Sequence, residues 1–121
     1  MRNKILIVDD EPNIVMTLEY ALKKQEYDVF IARDGQEAMQ ILATTLPDLV
    51  LLDIMMPEVD GYQTLRYIKA QPELRHTKVV FLSAKNRAAD IEKGLALGAD
   101  KYLTKPFSPK KVIAEIQTLL G

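Results

Sequence analysis

Leu49-Val50-Leu51-Leu52-Asp53 places a carboxylate directly after four consecutive large aliphatic residues. A run this short, with no polar residue alternating through it, reads as a strand covered on both faces. That is the pattern of a parallel sheet between two helical layers. A carboxylate at the end of such a strand is costly to desolvate without a partner, which marks Asp53 as a residue kept for chemistry rather than packing.

Working outward, runs of the same kind occur at Lys4–Val8, Tyr27–Ala32, Lys78–Leu82 and Lys101–Leu103. Between them apolar residues recur at helical spacing. Ile14, Leu18, Ala21 and Leu22 form one stripe, and Ala38, Ile41 and Leu42 a second. Leu65 with Ile68 marks a third, Ile91 with Leu95 a fourth, and Val112, Ile113, Ile116, Leu119 and Leu120 the clearest. Pro12 and Pro109 suit first helical turns, with Ser108 as the cap before the second of them. Gly61 precedes the third helix, and Gly98 suits the left-handed residue after the fourth. Five strands alternating with five helices predict right-handed crossovers and a doubly wound α/β fold.

The chain has 121 residues, which predicts a single domain over 1–121 with a core that needs no covalent staples. There are no cysteines, so disulfide and thiolate chemistry is excluded. No apolar stretch is long enough to span a bilayer, and the start of the chain lacks the features of a signal peptide, so the cytoplasm is the expected compartment and no membrane partner is expected. Charge is uneven: residues 1–75 carry 8 basic and 13 acidic residues, and residues 76–121 carry 8 and 4. Solvated helix surface accounts for that difference. Lys101, Lys105, Lys110 and Lys111 come with no nucleic-acid reader motif, so direct nucleic-acid binding is not expected. His76, the only histidine, lies in a polar stretch and reads as solvated loop.

Ligands of open parallel sheets bind beyond the carboxyl ends of the strands. Those ends carry Asp9-Asp10-Glu11, Arg33-Asp34, Asp53, Ser83-Ala84-Lys85 and Thr104-Lys105-Pro106. Three crowded carboxylates repel one another unless a cation lies among them. Mg2+ fits best, because it needs few protein oxygens and keeps its waters. Asp10 and Asp53 are the expected direct ligands, Asp9 acts through water, and a backbone carbonyl after Asp53 adds another oxygen. A carboxylate so placed can accept a phosphoryl group, with Lys105 as a point charge on one oxygen and the Ser83 hydroxyl on another. Glu11 and Asp34 receive no role. Singly these residues are ordinary, since Asp9 and Asp10 could start a turn and cap a helix, and Ser83 could do likewise. Their convergence on one sheet edge favours function.

The stretches Ile5-Leu6-Ile7-Val8-Asp9-Asp10-Glu11, Leu51-Leu52-Asp53-Ile54-Met55-Met56-Pro57 with Asp60-Gly61, Leu82-Ser83-Ala84, and Gly98 through Phe107 occur in this order. In them the chain resembles the response-regulator receiver domains of two-component signalling, over essentially its whole length. The resemblance implies a flavodoxin-like strand order 2-1-3-4-5. It implies that Asp53 is the phosphoacceptor and that Asp9 and Asp10 are the acidic Mg2+ pair, with Met55 giving a backbone carbonyl to the metal. Ser83 becomes the switch hydroxyl, Tyr102 the switch aromatic and Lys105 the phosphate-contacting lysine, with a cis Lys105–Pro106 bond.

The same resemblance implies a sensor histidine kinase or phosphotransfer protein as donor and a downstream effector domain or protein as reader. Phosphorylation is then expected to draw Ser83 toward the phosphoryl group, let Tyr102 turn inward, and alter the surface of the fourth helix, fifth strand and fifth helix. A homodimer through that surface is the arrangement of many DNA-binding members, although Ile91, Ala96, Lys101 and Glu115 depart from their charged set. Met55 and Lys85 flank the path of an attacking water, which predicts slow loss of the phosphoryl group. The rival is an aspartyl-phosphate hydrolase for small substrates, but the chain has no room for the cap such enzymes use. A pseudo-receiver that only binds partners is opposed by the intact Asp10, Asp53 and Lys105.

Overall fold

The computed structural model describes residues 2–56 and 60–121. In chain order the elements are β1 (Lys4–Val8), α1 (Pro12–Lys24), β2 (Asp28–Ala32), α2 (Gly35–Thr44), β3 (Leu49–Asp53), α3 (Gly61–Ala70), β4 (Lys78–Ser83), α4 (Ala88–Ala96), β5 (Lys101–Thr104) and α5 (Pro109–Leu120). All strand pairs are parallel, in the order β2-β1-β3-β4-β5. The doubly wound α/β fold expected from the alternation is therefore present, with the 2-1-3-4-5 order.

Neighbouring strand residues point to opposite faces yet are both buried, which is why the runs read as continuously apolar. Leu6, Val8, Val50, Leu52, Val79 and Phe81 join the core on the α2–α3 side. Ile5, Ile7, Leu49, Leu51, Val80 and Leu82 join the core on the other side, with Leu18 and Leu22 of α1 and Val112 and Ile116 of α5.

The helix boundaries follow local chemistry. Pro12 and Pro109 open α1 and α5, and the Ser108 hydroxyl accepts the Lys111 N–H at 3.1 Å. At the start of α3 the Asp60 carboxylate accepts the Gln63 N–H at 2.9 Å while the Gln63 side chain accepts the Asp60 N–H at 2.9 Å. Gly98 has φ +113, so the left-handed turn after α4 falls where the sequence placed it.

Some boundaries move. Tyr27 lies outside β2, while β3 and β4 each extend one residue beyond their apolar runs, to Asp53 and Ser83, because those residues complete the ladders by pairing with Leu82 and Thr104. Gly61 is the first residue of α3 rather than its predecessor, and a Cβ there would lie 2.5 Å from the Asp53 carbonyl oxygen. Only glycine lets the start of α3 pack so closely on the end of β3. A short 3-10 turn, Pro72–Leu74, lies between α3 and β4. His76 is exposed, as expected.

Candidate functional site

The site lies beyond the carboxyl ends of β1, β3 and β4 and is completed by the loop after β5. Asp9 and Asp53 are buried, whereas Asp10 and Glu11 are exposed. Asp9, Asp10, Glu11 and Asp53 each offer a carboxylate oxygen, and these four atoms lie within 4.8 Å of one another. Lys105 reaches in from the loop after β5. Its Nζ is 2.9 Å from Glu11 Oε1, 3.2 Å from Asp9 Oδ2 and 3.6 Å from Asp53 Oδ1. The Lys105–Pro106 peptide bond is cis.

Backbone groups hold two of the carboxylates in place. The Glu11 N–H donates to Asp9 Oδ1 at 2.9 Å, and the Met55 N–H donates to Asp53 Oδ1 at 3.3 Å. Asp9 Oδ2 is buried without a well-directed hydrogen bond, although the Lys105 ammonium stands beside it. Asp9 and Asp10 do not cap α1. Glu11 takes the cap position without a side-chain bond, so of the turn-and-cap alternative only the turn is present, with Asp9 accepting the Glu11 N–H.

The electrostatics are strained in one direction. Burial, then the charge of Asp9, push the Asp53 carboxyl up from 3.8 to about 6, against the pull of Lys105 and the Met55 N–H. Burial likewise raises Asp9. Burial alone would lower Lys105, but its hydrogen bond to Glu11 and the charges of Asp53 and Asp9 leave it raised. Crowded, partly desolvated oxygens, one of them lacking a hydrogen bond, suit a hard divalent cation.

Ser83 is fully buried, and its hydroxyl accepts the Lys85 N–H at 3.1 Å, so in this state it is engaged with its own loop. Tyr102 is half-buried. Its hydroxyl donates to the Lys85 carbonyl at 2.9 Å and lies beside the Ser83 hydroxyl, while its ring packs edge-on against Phe81 with centroids 6.1 Å apart. Tyr102 thus already sits inward, next to Ser83. Met55, 59% exposed, stands at the mouth of the site. Pro57 of the motif lies outside the described residues.

Two acidic residues left without a role acquire one. Glu11 pairs with Lys105, and Asp34 caps α2 by accepting the Glu37 N–H at 2.8 Å. The cap could have been read from Asp34 standing three residues before Glu37; the Glu11–Lys105 pair spans 94 positions and had no local signal. Between β5 and α5, Lys101 and Glu115 pair within the chain at 3.6 Å.

A five-stranded 2-1-3-4-5 sheet with this acidic edge and facing lysine defines a receiver module. The chain belongs to the response regulator receiver domain family, whose profile matches residues 5–117, and it is accordingly a regulatory domain of two-component systems. It is 43% identical over 120 residues to the alkaline phosphatase synthesis transcriptional regulatory protein PhoP of Bacillus subtilis (strain 168), a match covering 99% of this chain and 49% of that protein. The chain therefore spans about half the length of that curated relative.

Among solved structures it is similar to the chemotaxis protein CheY4 of Vibrio cholerae, with TM-score 0.92 and 27% identity over 98% of this chain and 99% of that one. It is also similar to the BeF3-activated DrrB receiver domain, with TM-score 0.91 and 32% identity over 99% and 98% of the two chains. DrrB is a Thermotoga maritima response regulator.

Proposed function

We propose that residues 1–121 form a phosphoacceptor domain that takes a phosphoryl group from a sensor histidine kinase, or from a phosphotransfer protein, onto Asp53. The observation that carries this is the position of Asp53. It is 3% exposed, set among carboxylates, and its carboxyl is held up at about 6, with Lys105 Nζ 3.6 Å away. A structural aspartate would be better satisfied. A carboxylate raised by crowding is instead ready for a cation and an incoming phosphoryl group.

Asp9, Asp10, Asp53 and the Met55 carbonyl would hold Mg2+, which when bound neutralises the carboxylates and the charge of the transferring group. The chain's own part is then positional. The Met55 N–H and Lys105 orient the Asp53 carboxylate. One of its oxygens bonds to phosphorus as the donor's P–N or P–O bond breaks, and the leaving group departs with its electron pair. Lys105 and Ser83 take up the new phosphoryl oxygens, with Lys105 leaving Glu11 to do so. The Ser83 hydroxyl, which accepts the Lys85 N–H, turns its own O–H to donate to a phosphoryl oxygen, and the loop that also bears the Tyr102 contact shifts. The surface of α4, β5 and α5 carries that change to an effector, in the same polypeptide or another.

The relative PhoP is a transcriptional regulatory protein about twice as long as this match, which supports a transcriptional effector as reader. That DrrB has been solved in a BeF3-activated form supports activation at the shared site. The domain catalyses only its own phosphorylation and dephosphorylation, and acts in the cytoplasm. No helix of the described residues is long and apolar enough to cross a membrane. The Lys101–Glu115 pair within the chain weighs against a homodimer that needs both charges across its interface.

Incubation with acetyl phosphate and Mg2+ tests the proposal by intact mass. One phosphoryl adduct is expected, absent in Asp53→Asn and absent without metal. Turnover of many phosphoesters would favour the hydrolase. With Met55 exposed beside Asp53 and Lys85 two residues after Ser83, the adduct should be long-lived, and Met55→Ala should shorten its life.

A further inference from the structure

Gly94 is the one buried residue of α4; the helix's other residues are half-buried or exposed, and Leu95 is 44% exposed. Glycine is the poorest interior helix residue short of proline, so its place here calls for a reason. The surroundings supply one. A Cβ on Gly94 would lie 3.0 Å from Phe81 Cδ2, 3.0 Å from Tyr102 Cδ2 and 3.2 Å from Tyr102 Cε2.

Of these two rings only one has room to yield. Phe81 is fully buried and held edge-on by Tyr62 at 5.7 Å, and the Lys93 ammonium covers the Tyr62 ring at 4.3 Å. Tyr102 is half-exposed and can swing toward solvent. If it did, its hydroxyl would leave the Lys85 carbonyl, whose residue also donates its N–H to Ser83 Oγ.

We propose that Gly94 is a positioning residue: the side chain it lacks is the seat that admits the Tyr102 ring to Phe81 and keeps the Tyr102 hydroxyl on the loop of Ser83. A side chain at position 94 uncouples Tyr102 from that loop while leaving Asp9, Asp10, Asp53 and Lys105 untouched. The consequence for signalling rests on the role given above to Ser83 and Tyr102; the seat itself does not.

The chain has five tyrosines and no tryptophan, which suits 19F NMR of the protein labelled with 3-fluorotyrosine. The Tyr102 signal is assigned by its loss in Tyr102→Phe. In Gly94→Ala it should move toward the position of free fluorotyrosine while the signals of Tyr20, Tyr27 and Tyr67 stay in place. An unmoved Tyr102 signal in folded Gly94→Ala overturns the proposal. Melting temperatures give a second test, one that holds even if Gly94→Ala folds poorly. Gly94→Ala should lower Tm in the wild-type background. In Tyr102→Ala it should leave Tm unchanged or raise it, because the ring is gone and alanine suits a helix better. An equal loss in both backgrounds places the obstruction at Phe81 and overturns the proposal. Neither measurement needs a phosphoryl donor, so failure of Asp53 to accept phosphoryl would leave both results standing.

Discussion

The two edges of this sheet carry the same kind of residue in opposite conditions. At the amino edge, Asp48 accepts the Lys4 N–H at 2.7 Å and Asp100 accepts the Val79 N–H at 2.8 Å, each carboxylate tying adjoining segments together. Thr77 adds a hydroxyl bond to the Pro47 carbonyl at 2.8 Å. Each of these groups has a backbone partner, and among the described residues neither carboxylate belongs to a crowded acidic cluster. At the carboxyl edge Asp9, Asp10 and Asp53 face one another, backbone satisfies only part of them, and Asp9 Oδ2 has no well-directed bond. One edge contributes stability, while the other stores repulsion that a cation and a phosphoryl group relieve. The contrast separates a structural aspartate from a functional one without reference to any relative.

Substitution should therefore act with opposite signs at the two edges. At pH 7 in EDTA, Asp53→Asn should be more stable than wild type by about 2–3 kcal/mol, the worth of roughly two pKa units. The pH dependence fixes the sign. The folded carboxyl titrates at about 6 against 3.8 for an ordinary Asp, so the folded state binds its proton more tightly. The stabilisation is fully present below about 4 and is lost as pH rises through about 6; raised Asp9 acts in the same direction. Urea unfolding of wild type in EDTA should show stability falling across that window, with the gap to Asp53→Asn closing near pH 4. Added Mg2+ should restore the wild type at pH 7 and do little for the variant. If Asp53→Asn is the less stable protein at pH 7 in EDTA, the two edges do not differ as described.

At the other edge the change runs the opposite way and is somewhat smaller. Asp100→Ala leaves the N–H of fully buried Val79 unpaired, a loss of about 1–3 kcal/mol. Asp100→Asn keeps an acceptor and should recover most of it, and neither change should depend on Mg2+. Chemical denaturation with and without the metal reads both, and a stability that responds to Mg2+ at Asp100 would erase the distinction.

Most of the fold was legible because both sheet faces are buried, so that five short aliphatic runs between helical stripes admit few topologies. The meeting of Asp53, Asp9, Ser83 and Lys105 was legible because each closes or directly follows a strand, with Asp10 next to Asp9, and a parallel sheet brings such ends together. What escaped the sequence was contact without periodicity. The Pro72–Leu74 turn has no repeating pattern. The inward seat of Tyr102 depends on what α4 lacks at Gly94, and a missing side chain gives no hydrophobic signal. Glu11 looked like a spare charge because its partner is remote in sequence, and only the folded chain brings Lys105 to it.

Glu11 also gives the smallest test, because it stands between the two conditions. Its carboxylate is 56% exposed, whereas the Lys105 side chain it holds is 12% exposed. A pair with one partner so open to solvent is worth about 0–1 kcal/mol, so Glu11→Gln should shift stability by no more than that. Its kinetic effect has a definite direction. Glu11 is the nearest of the three carboxylates to Lys105 Nζ, and Lys105 leaves it to meet a phosphoryl oxygen. Releasing that hold, and removing one negative charge from the path of an anionic donor, should both favour transfer. At saturating Mg2+, which removes any difference in metal affinity, phosphorylation of Glu11→Gln by acetyl phosphate should be up to about fivefold faster, the rate equivalent of such a pair. A slower rate would mean that Glu11 holds Lys105 in its working position, and Glu11 would then belong with the satisfied carboxylates of the amino edge rather than with the strained ones around Asp53.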